Sequence, residues 1–202
     1  MSSFRRDSSQ EEHGADYDEF PFEQIPRRIF LDTNILDCLV KWPSCVFEMQ
    51  EAPPDLDATL RDDIEALMHI FQTGRRAQWD IVASDKVLDE LSQTSDADLR
   101  KALVHYGAEI RAYSTGNGFN GDHSYANDLA RRLRDSTLVS ALPDMSDRDL
   151  VAHAIAFRCD AFCTRDRRSI YNKRNALRGL PLKILTPADW WQHIRPWAGL
   201  WC

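Results

Sequence analysis

Four acidic residues occupy positions where a parallel α/β fold would bring them together. Asp32 directly follows the apolar run Ile29–Leu31, and Asp166 ends the segment "DAFCTRD". Because ligands bind outside the carboxyl ends of strands in open α/β sheets, both acids are candidate site residues. Glu90 borders the apolar face of the segment "DKVLDEL", and Asp147 lies on the apolar stripe of "SDRDLVAHA". These spacings predict that both face the same edge of the sheet.

A cluster of carboxylates indicates a particular chemistry. Carboxylates in one cleft repel one another and raise each other's pKa unless a cation is present. Ligation by oxygen alone suits Mg²⁺ or Mn²⁺, which bind carboxylates, waters and substrate phosphates. Such a cation lowers the pKa of a bound water and stabilises charge that develops on a phosphate. The pattern therefore predicts metal-dependent hydrolysis of a phosphodiester.

The third acid of the set has two candidates, Asp147 and Asp149. Residues two apart on a helix point about 200° away from each other, so at most one faces inward. Asp149 stands three residues after Ser146, which is the spacing of a helix capping box. Asp147 is therefore the predicted metal ligand, and Asp149 remains the alternative.

Short polar residues accompany two of the acids. Asn34 follows Asp32 by two positions, and Thr164 precedes Asp166 by two. Side chains of this kind hold metal-binding carboxylates by hydrogen bonds, so both are predicted to support the site. Taken singly, each acid also has a bland explanation, since Asp is common at strand ends and turns for hydrogen-bonding reasons alone. The combination of four acids at these positions favours a shared site over that explanation.

The elements that must position these residues alternate along the chain. Apolar runs bounded by charge predict strands in "IFL", "QWDIVAS", "DAFCTRD" and "LKIL", with a weaker one in "AEIRAYS" at residues 108–114. Segments of helical periodicity separate them, including residues 97–107 and a final helix from "PADWWQHI". Strands that alternate with helices predict an α/β fold of three layers, with a mostly parallel sheet and helices on both faces.

Composition predicts one domain with an acidic extension. The chain of 202 residues has a net charge of −7, but residues 1–26 carry seven acids against two arginines. That segment lacks hydrophobic periodicity and is predicted to be a disordered tail, with the nuclease-like body at 27–202. Five irregularly spaced cysteines predict reduced thiols. Without a signal peptide or a long apolar run, we expect a cytoplasmic protein that does not enter a membrane.

With these segments in view, the chain resembles the PIN-domain family of metal-dependent nucleases over about residues 27–197. The resemblance rests on "IFLDTN", "VASDKVLDEL", "SDRDLVAHAIAFRCDAFCTRD" and "LKILTPADWW". It implies a sheet of strand order 3-2-1-4-5 and a Mg²⁺ or Mn²⁺ site. The acids that match the family's motif positions are Asp32, Glu90, Asp147 and Asp166, with Asp149 beside the third.

The resemblance also implies a function and partners. PIN-type chemistry would make this protein an endoribonuclease that cleaves RNA by metal-activated water and leaves a 5′-phosphate. Some bacterial members are the toxins of toxin–antitoxin pairs, so an antitoxin or another regulatory protein is a possible partner. Many members form homodimers in which two basic rims line one groove. The longer chain and its acidic extension depart from the compact toxins of the family, so the antitoxin is not assumed.

Basic residues near the acids are the predicted contacts to nucleic acid. From residue 150 onward the chain carries nine bases and three acids. Arginine suits phosphate because its planar fork binds two oxygens at once. The candidate residues are Arg148, Arg165, Arg167, Arg168, Lys173 and Arg174.

Two other functions compete with the nuclease. A PIN fold kept as a catalytically silent module for RNA or protein binding is compatible with the same sequence, although four acids are unexpected in an inert copy. A phosphatase of the haloacid-dehalogenase type also has an Asp after its first strand. That chemistry needs a second acid two residues later, and Asn34 occupies the position here.

Overall fold

The computed structural model describes residues 10–77, 79–116, 123–177 and 179–199. These residues fall into two compact units. Unit 2 consists of residues 27–41 and 79–186 and contains every predicted site residue. Unit 1 comprises the described parts of 1–26, 42–78 and 187–202. None of the described helices is long and apolar enough to span a membrane.

Unit 2 is an α/β unit built on a parallel sheet. Its strands are β1 (Arg28–Leu31), β2 (Asp80–Val82), β3 (Ala161–Cys163) and β4 (Lys183–Leu185). Its helices are α2 (Thr33–Lys41), α5 (Asp85–Leu91), α6 (Ala97–Gly116), α7 (His123–Arg134) and α8 (Met145–Ala156). All strand pairs are parallel, as the alternating pattern predicts.

The sheet has the order β2-β1-β3-β4, with Phe30 of β1 in register with Val82 of β2 and Phe162 of β3. Ile29, Phe30 and Leu31 are all fully buried, so both faces of β1 are covered. An unbroken apolar run of this kind is typical of a parallel strand that is buried on both sides.

Five strands in the order 3-2-1-4-5 were expected, and the described residues form four. The predicted strand at residues 108–114 is wrong, because these residues belong to α6. Gly107 lies inside this helix and allows it to approach its neighbours closely. A Cβ at this position would lie 2.8 Å from Leu88 Cδ2 and 3.0 Å from Leu91 Cδ1. Gly107 therefore serves close packing within a helix and does not end one.

Unit 1 contains α1 (Gln10–Glu19), α3 (Pro43–Phe47), α4 (Ala58–Ala77) and α9 (Pro187–Ala198). Its α4 contacts α3 and α9, and α1 contacts α9. Ile64, Leu67 and Ile70 of α4 are buried at helical spacing, as the sequence periodicity predicts.

Residues 10–26 belong to the segment that was predicted to be disordered, and they include α1 and the 3-10 helix Phe22–Gln24, while residues 1–9 lie outside the described part. The aromatic rings of Tyr17 and Phe22 meet Trp197 of α9 at centroid distances of 4.3 and 5.3 Å. The Trp197 indole N–H donates to the Phe20 carbonyl at 2.7 Å, and Asp16 pairs with Arg195. Aromatic side chains thus supply the buried surface that the acidic composition concealed.

The cysteines that the structure describes are Cys38, Cys45, Cys159 and Cys163. All four are buried and reduced, in agreement with the sequence prediction.

Candidate active site

Polar residues follow three adjacent strands where a buried apolar sheet ends. Asp32 and Thr164 come directly after Leu31 and Cys163, which are in register across β1 and β3. Thr186 follows Leu185, the partner of Cys163 in β4. Asp32, Thr164 and Thr186 are at most 3% exposed. The carboxyl edge of the sheet therefore carries a buried polar row.

Asp32 is held by hydrogen bonds at both carboxylate oxygens. Its Oδ1 accepts from the Thr33 backbone N–H at 2.7 Å, and its Oδ2 accepts from Asn34 Nδ2 at 2.6 Å and from the Thr164 hydroxyl. Asn34 Oδ1 in turn accepts from the Arg165 backbone N–H at 2.8 Å. Asn34 and Thr164 thus fix Asp32 and tie the end of β1 to the loop after β3.

The Asp32 carboxyl resists ionisation in the metal-free fold. Burial raises its pKa to about 7, the nearby Glu90 carboxylate adds to the rise, and the hydrogen bonds from Thr164, Thr33 and Asn34 partly oppose it. A buried carboxylate with an elevated pKa is stabilised by a cation, which favours the charged form.

Glu90 of α5 lies next to Asp32 and is bound by hydroxyl groups. Its Oε2 accepts from Thr33 Oγ1 at 2.6 Å, and its Oε1 accepts from the Ser146 hydroxyl. Lys86, one helical turn earlier, places its ammonium 3.2 Å from Oε1. Glu90 therefore connects the first strand's acid to the start of α8.

Asp147 lies among the other acids of the site. Burial raises the pKa of Asp147, and the Asp166, Asp144 and Glu90 carboxylates raise it further, against a hydrogen bond with Ser169. Its Oδ2 is buried and has no hydrogen-bond partner among the described residues. Buried polar atoms are nearly always satisfied, so this oxygen fits a ligand such as a cation or its water.

Asp166 completes the set in the loop after β3. Its Oδ1 accepts from the backbone N–H groups of Arg168 and Ser169, each at 2.8 Å, and its Oδ2 accepts from Ser169 Oγ at 2.6 Å. Burial opposes ionisation of Asp166, but these hydrogen bonds outweigh it and lower the pKa. Ser169 thus lies between Asp166 and Asp147.

Asp149 has different surroundings. Its carboxylate lies 3.6 Å from His153 Nδ1, and it interacts electrostatically with Arg134. The expected capping box between Ser146 and Asp149 is wrong. The N-cap of α8 is Asp144, whose side chain accepts from the Ser146 backbone N–H at 2.6 Å. The Ser146 hydroxyl is thereby free to bind Glu90.

The acids thus form a chain of electrostatic neighbours, from Asp32 to Glu90, from Glu90 to Asp147 and from Asp147 to Asp166. Across the described ranges, no three His, Cys, Asp or Glu side chains converge into a ready metal-binding group. The donor set itself consists of carboxylate oxygens, the type that Mg²⁺ and Mn²⁺ prefer. The residues that could hold such an ion are Asp32, Glu90, Asp147 and Asp166.

The predicted basic contacts have mixed roles. Arg148 directs its guanidinium to the carbonyls of Leu142 at 2.6 Å and Ser140 at 3.2 Å, so it supports the loop before α8. The Arg165 backbone N–H donates to Asn34 Oδ1, and the Arg168 backbone N–H donates to Asp166 Oδ1. Lys173 is exposed at the end of the 3-10 helix Tyr171–Lys173, and Arg174 is exposed directly after it. Arg167 lies in the same loop.

Sequence reasoning missed Lys86, Ser146 and Ser169 as site residues. Lys86 carried one signal, its spacing of four residues before Glu90 on a helix. The serines carried none, because hydroxyl residues are common at helix starts and in loops.

Comparison of the chain with protein-family models, with curated proteins and with solved structures finds no match in any of the three.

Proposed function

We propose that the protein is a Mg²⁺- or Mn²⁺-dependent endoribonuclease of the PIN type. The observation that carries this proposal is the linked set of four carboxylates at the carboxyl edge of a parallel sheet, one with a buried oxygen that no donor among the described residues satisfies. A structural cluster of acids would be expected to neutralise itself with arginine or lysine. Here Lys86 pairs with Glu90, whereas hydrogen bonds to Asp32 and Asp166 come from hydroxyl, amide and backbone N–H donors.

In this proposal the protein residues hold and orient the reacting groups. Asp32, Glu90, Asp147 and Asp166 would bind the cation, which lowers the pKa of a bound water and stabilises charge on the scissile phosphate. Asn34 and Thr164 keep Asp32 in one orientation, and Thr33 and Ser146 do the same for Glu90. Fixed carboxylates limit the reorganisation that catalysis would otherwise require.

The proposal is also compatible with the finding that, among the described residues, no three acids converge. Without a cation, like charges favour a spread arrangement. Mg²⁺ usually keeps several waters and needs only one or two direct carboxylates. The remaining acids can act through those waters.

A second candidate is a binding module without turnover. It is favoured by the absence, among the described residues, of three acids that already converge. It does not explain why Asp32 is buried with an elevated pKa or why Asp147 Oδ2 lacks a donor.

A cleavage assay tests the proposal. Purified protein is incubated with labelled single-stranded RNA and DNA in Mn²⁺ or in EDTA, beside Asp32→Asn. Asp37→Asn is a matched control, since Asp37 lies on α2 and forms an ion pair with Lys41 at 2.9 Å. We expect RNA cleavage that requires Mn²⁺, survives in Asp37→Asn and disappears in Asp32→Asn. RNA binding without cleavage under any metal condition would favour the second candidate.

A further inference from the structure

An aromatic residue and an arginine stack on each other just beyond the acid cluster. The Arg174 guanidinium carbon lies 3.8 Å from the centre of the Tyr171 ring. The same guanidinium donates from Nη1 to the Tyr171 carbonyl at 3.1 Å. Two contacts thus hold an otherwise flexible, exposed side chain in one orientation, with one face of its plane covered by Tyr171.

The stacked pair is fixed to the site through a short loop. The Tyr171 backbone N–H donates to the Asp166 carbonyl at 2.9 Å. The Asp166 carboxylate binds the intervening residues Arg168 and Ser169. Asp166 thus organises this turn. One backbone hydrogen bond links Tyr171 directly to Asp166, a predicted metal ligand.

The charge beside Tyr171 is not neutralised. Over the described part of the chain, Lys173 and Arg174 form no ion pair with any carboxylate, whereas Arg111, Arg131 and Arg134 each pair with an aspartate. An exposed guanidinium that is pinned in place without an acid is suited to an anionic or π-rich ligand.

We propose that Tyr171 and Arg174 form a stacking platform for an unpaired nucleobase of the bound strand. Arginine planes and aromatic rings are the surfaces on which proteins stack unpaired bases of RNA. Tyr171 is the positioning residue, and the open face of Arg174 meets the base. Since bases within a duplex are already stacked, the platform makes the protein select single strands. This inference rests on the proposed function for the nature of the ligand.

The test is a binding measurement that needs no catalysis. Fluorescence anisotropy in EDTA at fixed salt gives the Kd of a labelled single-stranded RNA and of an RNA duplex of the same length. The variants are Arg174→Lys, which keeps the charge but loses the plane, and Tyr171→Ala. Tyr171→Phe keeps the ring, and Arg131→Lys is the matched control, since Arg131 is exposed and paired with Asp128 at 2.7 Å.

We expect Arg174→Lys and Tyr171→Ala to weaken binding of the single strand by about 5- to 150-fold, the usual range for loss of one stacked base. Duplex binding should change less than about twofold, as should both affinities in Tyr171→Phe and Arg131→Lys. Thermal melting of each variant shows that the fold is retained.

Three results would overturn the platform: unchanged affinity in Arg174→Lys, an equal loss for the duplex, or no RNA binding by the wild type. Unchanged affinity would mean that Arg174 does not contact the RNA. An equal loss for the duplex would mean that Arg174 contacts phosphate. The platform and the nuclease fail separately. If the predicted binding pattern is found but the protein never cleaves RNA, the platform is supported and the nuclease is not. If cleavage is metal-dependent but Arg174→Lys binds RNA like the wild type, the nuclease is supported and the platform is not.

Discussion

Both ends of the parallel strands carry acids, and the two sets meet different partners. At the amino end, Asp80 pairs with Arg28, and Asp160 Oδ2 accepts from the backbone N–H groups of Arg27 and Arg28, each at 2.9 Å. At the carboxyl end, the strongest influences on Asp32 and Asp147 are burial, hydroxyl and amide groups, and other carboxylates.

The difference separates structural acids from candidate functional ones. An acid that binds arginine or strand amides stabilises the sheet through those contacts. Acids that are buried beside one another raise the free energy of the metal-free fold. We expect such an arrangement to be retained only where a ligand or a function compensates for this cost. Aspartate thus has a structural role at the amino edge and a candidate functional role at the carboxyl edge.

The largest expected effect of this difference is on catalysis. Asp166→Asn should lower metal-dependent RNA cleavage on the order of 10³-fold, because a lost ligand removes several kcal/mol of charge stabilisation. Asp160→Asn, an acid at the opposite end of β3, should retain activity within about twofold. Initial rates at saturating Mn²⁺ provide the comparison. Equal losses in both variants would erase the distinction between the edges.

The second-largest effect should be on the pH dependence of the free energy of unfolding, through Asp32 at the carboxyl edge. The folded-state pKa of Asp32 is about 7 against an ordinary value of 3.8, so the folded state holds this proton more tightly than the unfolded state. Its stabilising contribution is complete below about pH 4 and is lost as the pH rises through 7, on the order of 2–4 kcal/mol.

Urea unfolding of metal-free protein between pH 4 and 8 measures this loss. Asp32→Asn, which stays neutral, should flatten that part of the profile, and Mg²⁺ should restore wild-type stability at pH 8. A wild-type profile that matches Asp32→Asn throughout would show that Asp32 ionises normally.

The amino edge should respond in stability alone. Arg28→Met removes the partner of Asp80 and a 2.8 Å hydrogen bond from Arg28 Nε to the Phe157 carbonyl. We expect a loss of about 2–3 kcal/mol in the free energy of unfolding, because a partly buried charge is left without its partner. The added stability from Mg²⁺ should match that of the wild type. A smaller Mg²⁺ response would link this edge to the metal site.

The smallest expected effect concerns Lys86. Its ammonium lies 3.2 Å from Glu90 and occupies the place of a counter-charge in the metal-free cluster. Lys86→Met should therefore tighten Mn²⁺ binding by about 3- to 10-fold through loss of charge repulsion, at a cost of about 1 kcal/mol in metal-free stability. Weaker Mn²⁺ binding in this variant would mean that Lys86 supports the ligands instead.

The sequence predicts the parts of this picture that depend on local pattern. Apolar runs bounded by charge locate all four strands, and the residues that follow β1 and β3 give Asp32 and Thr164. Residues 108–114 were predicted as a strand, whereas they continue α6, which packs against Leu88 and Leu91 at Gly107. Close packing between helices is a tertiary effect that no local pattern contains.

The hydroxyl groups of the site were beyond prediction for a related reason. Ser146 binds Glu90 only because Asp144 caps α8 in its place, and Ser169 reaches Asp166 only through the turn that follows β3. The first role depends on which residue caps α8, and the second depends on the conformation of the turn. The helix at residues 10–19 was concealed by acidic composition, and Tyr17 on this helix and Phe20 and Phe22 after it make aromatic contacts to α9.

The most direct test of the central claim is Mn²⁺ binding by calorimetry at pH 8, without RNA. Asp147→Asn alters the acid whose Oδ2 lacks a donor, and Asp160→Asn alters an acid of the amino edge. The account predicts that the wild type binds Mn²⁺, that Asp147→Asn weakens binding at least about 10-fold, and that Asp160→Asn changes it less than twofold. No binding to the wild type, or an equal loss in both variants, would contradict a cation site at the carboxyl edge.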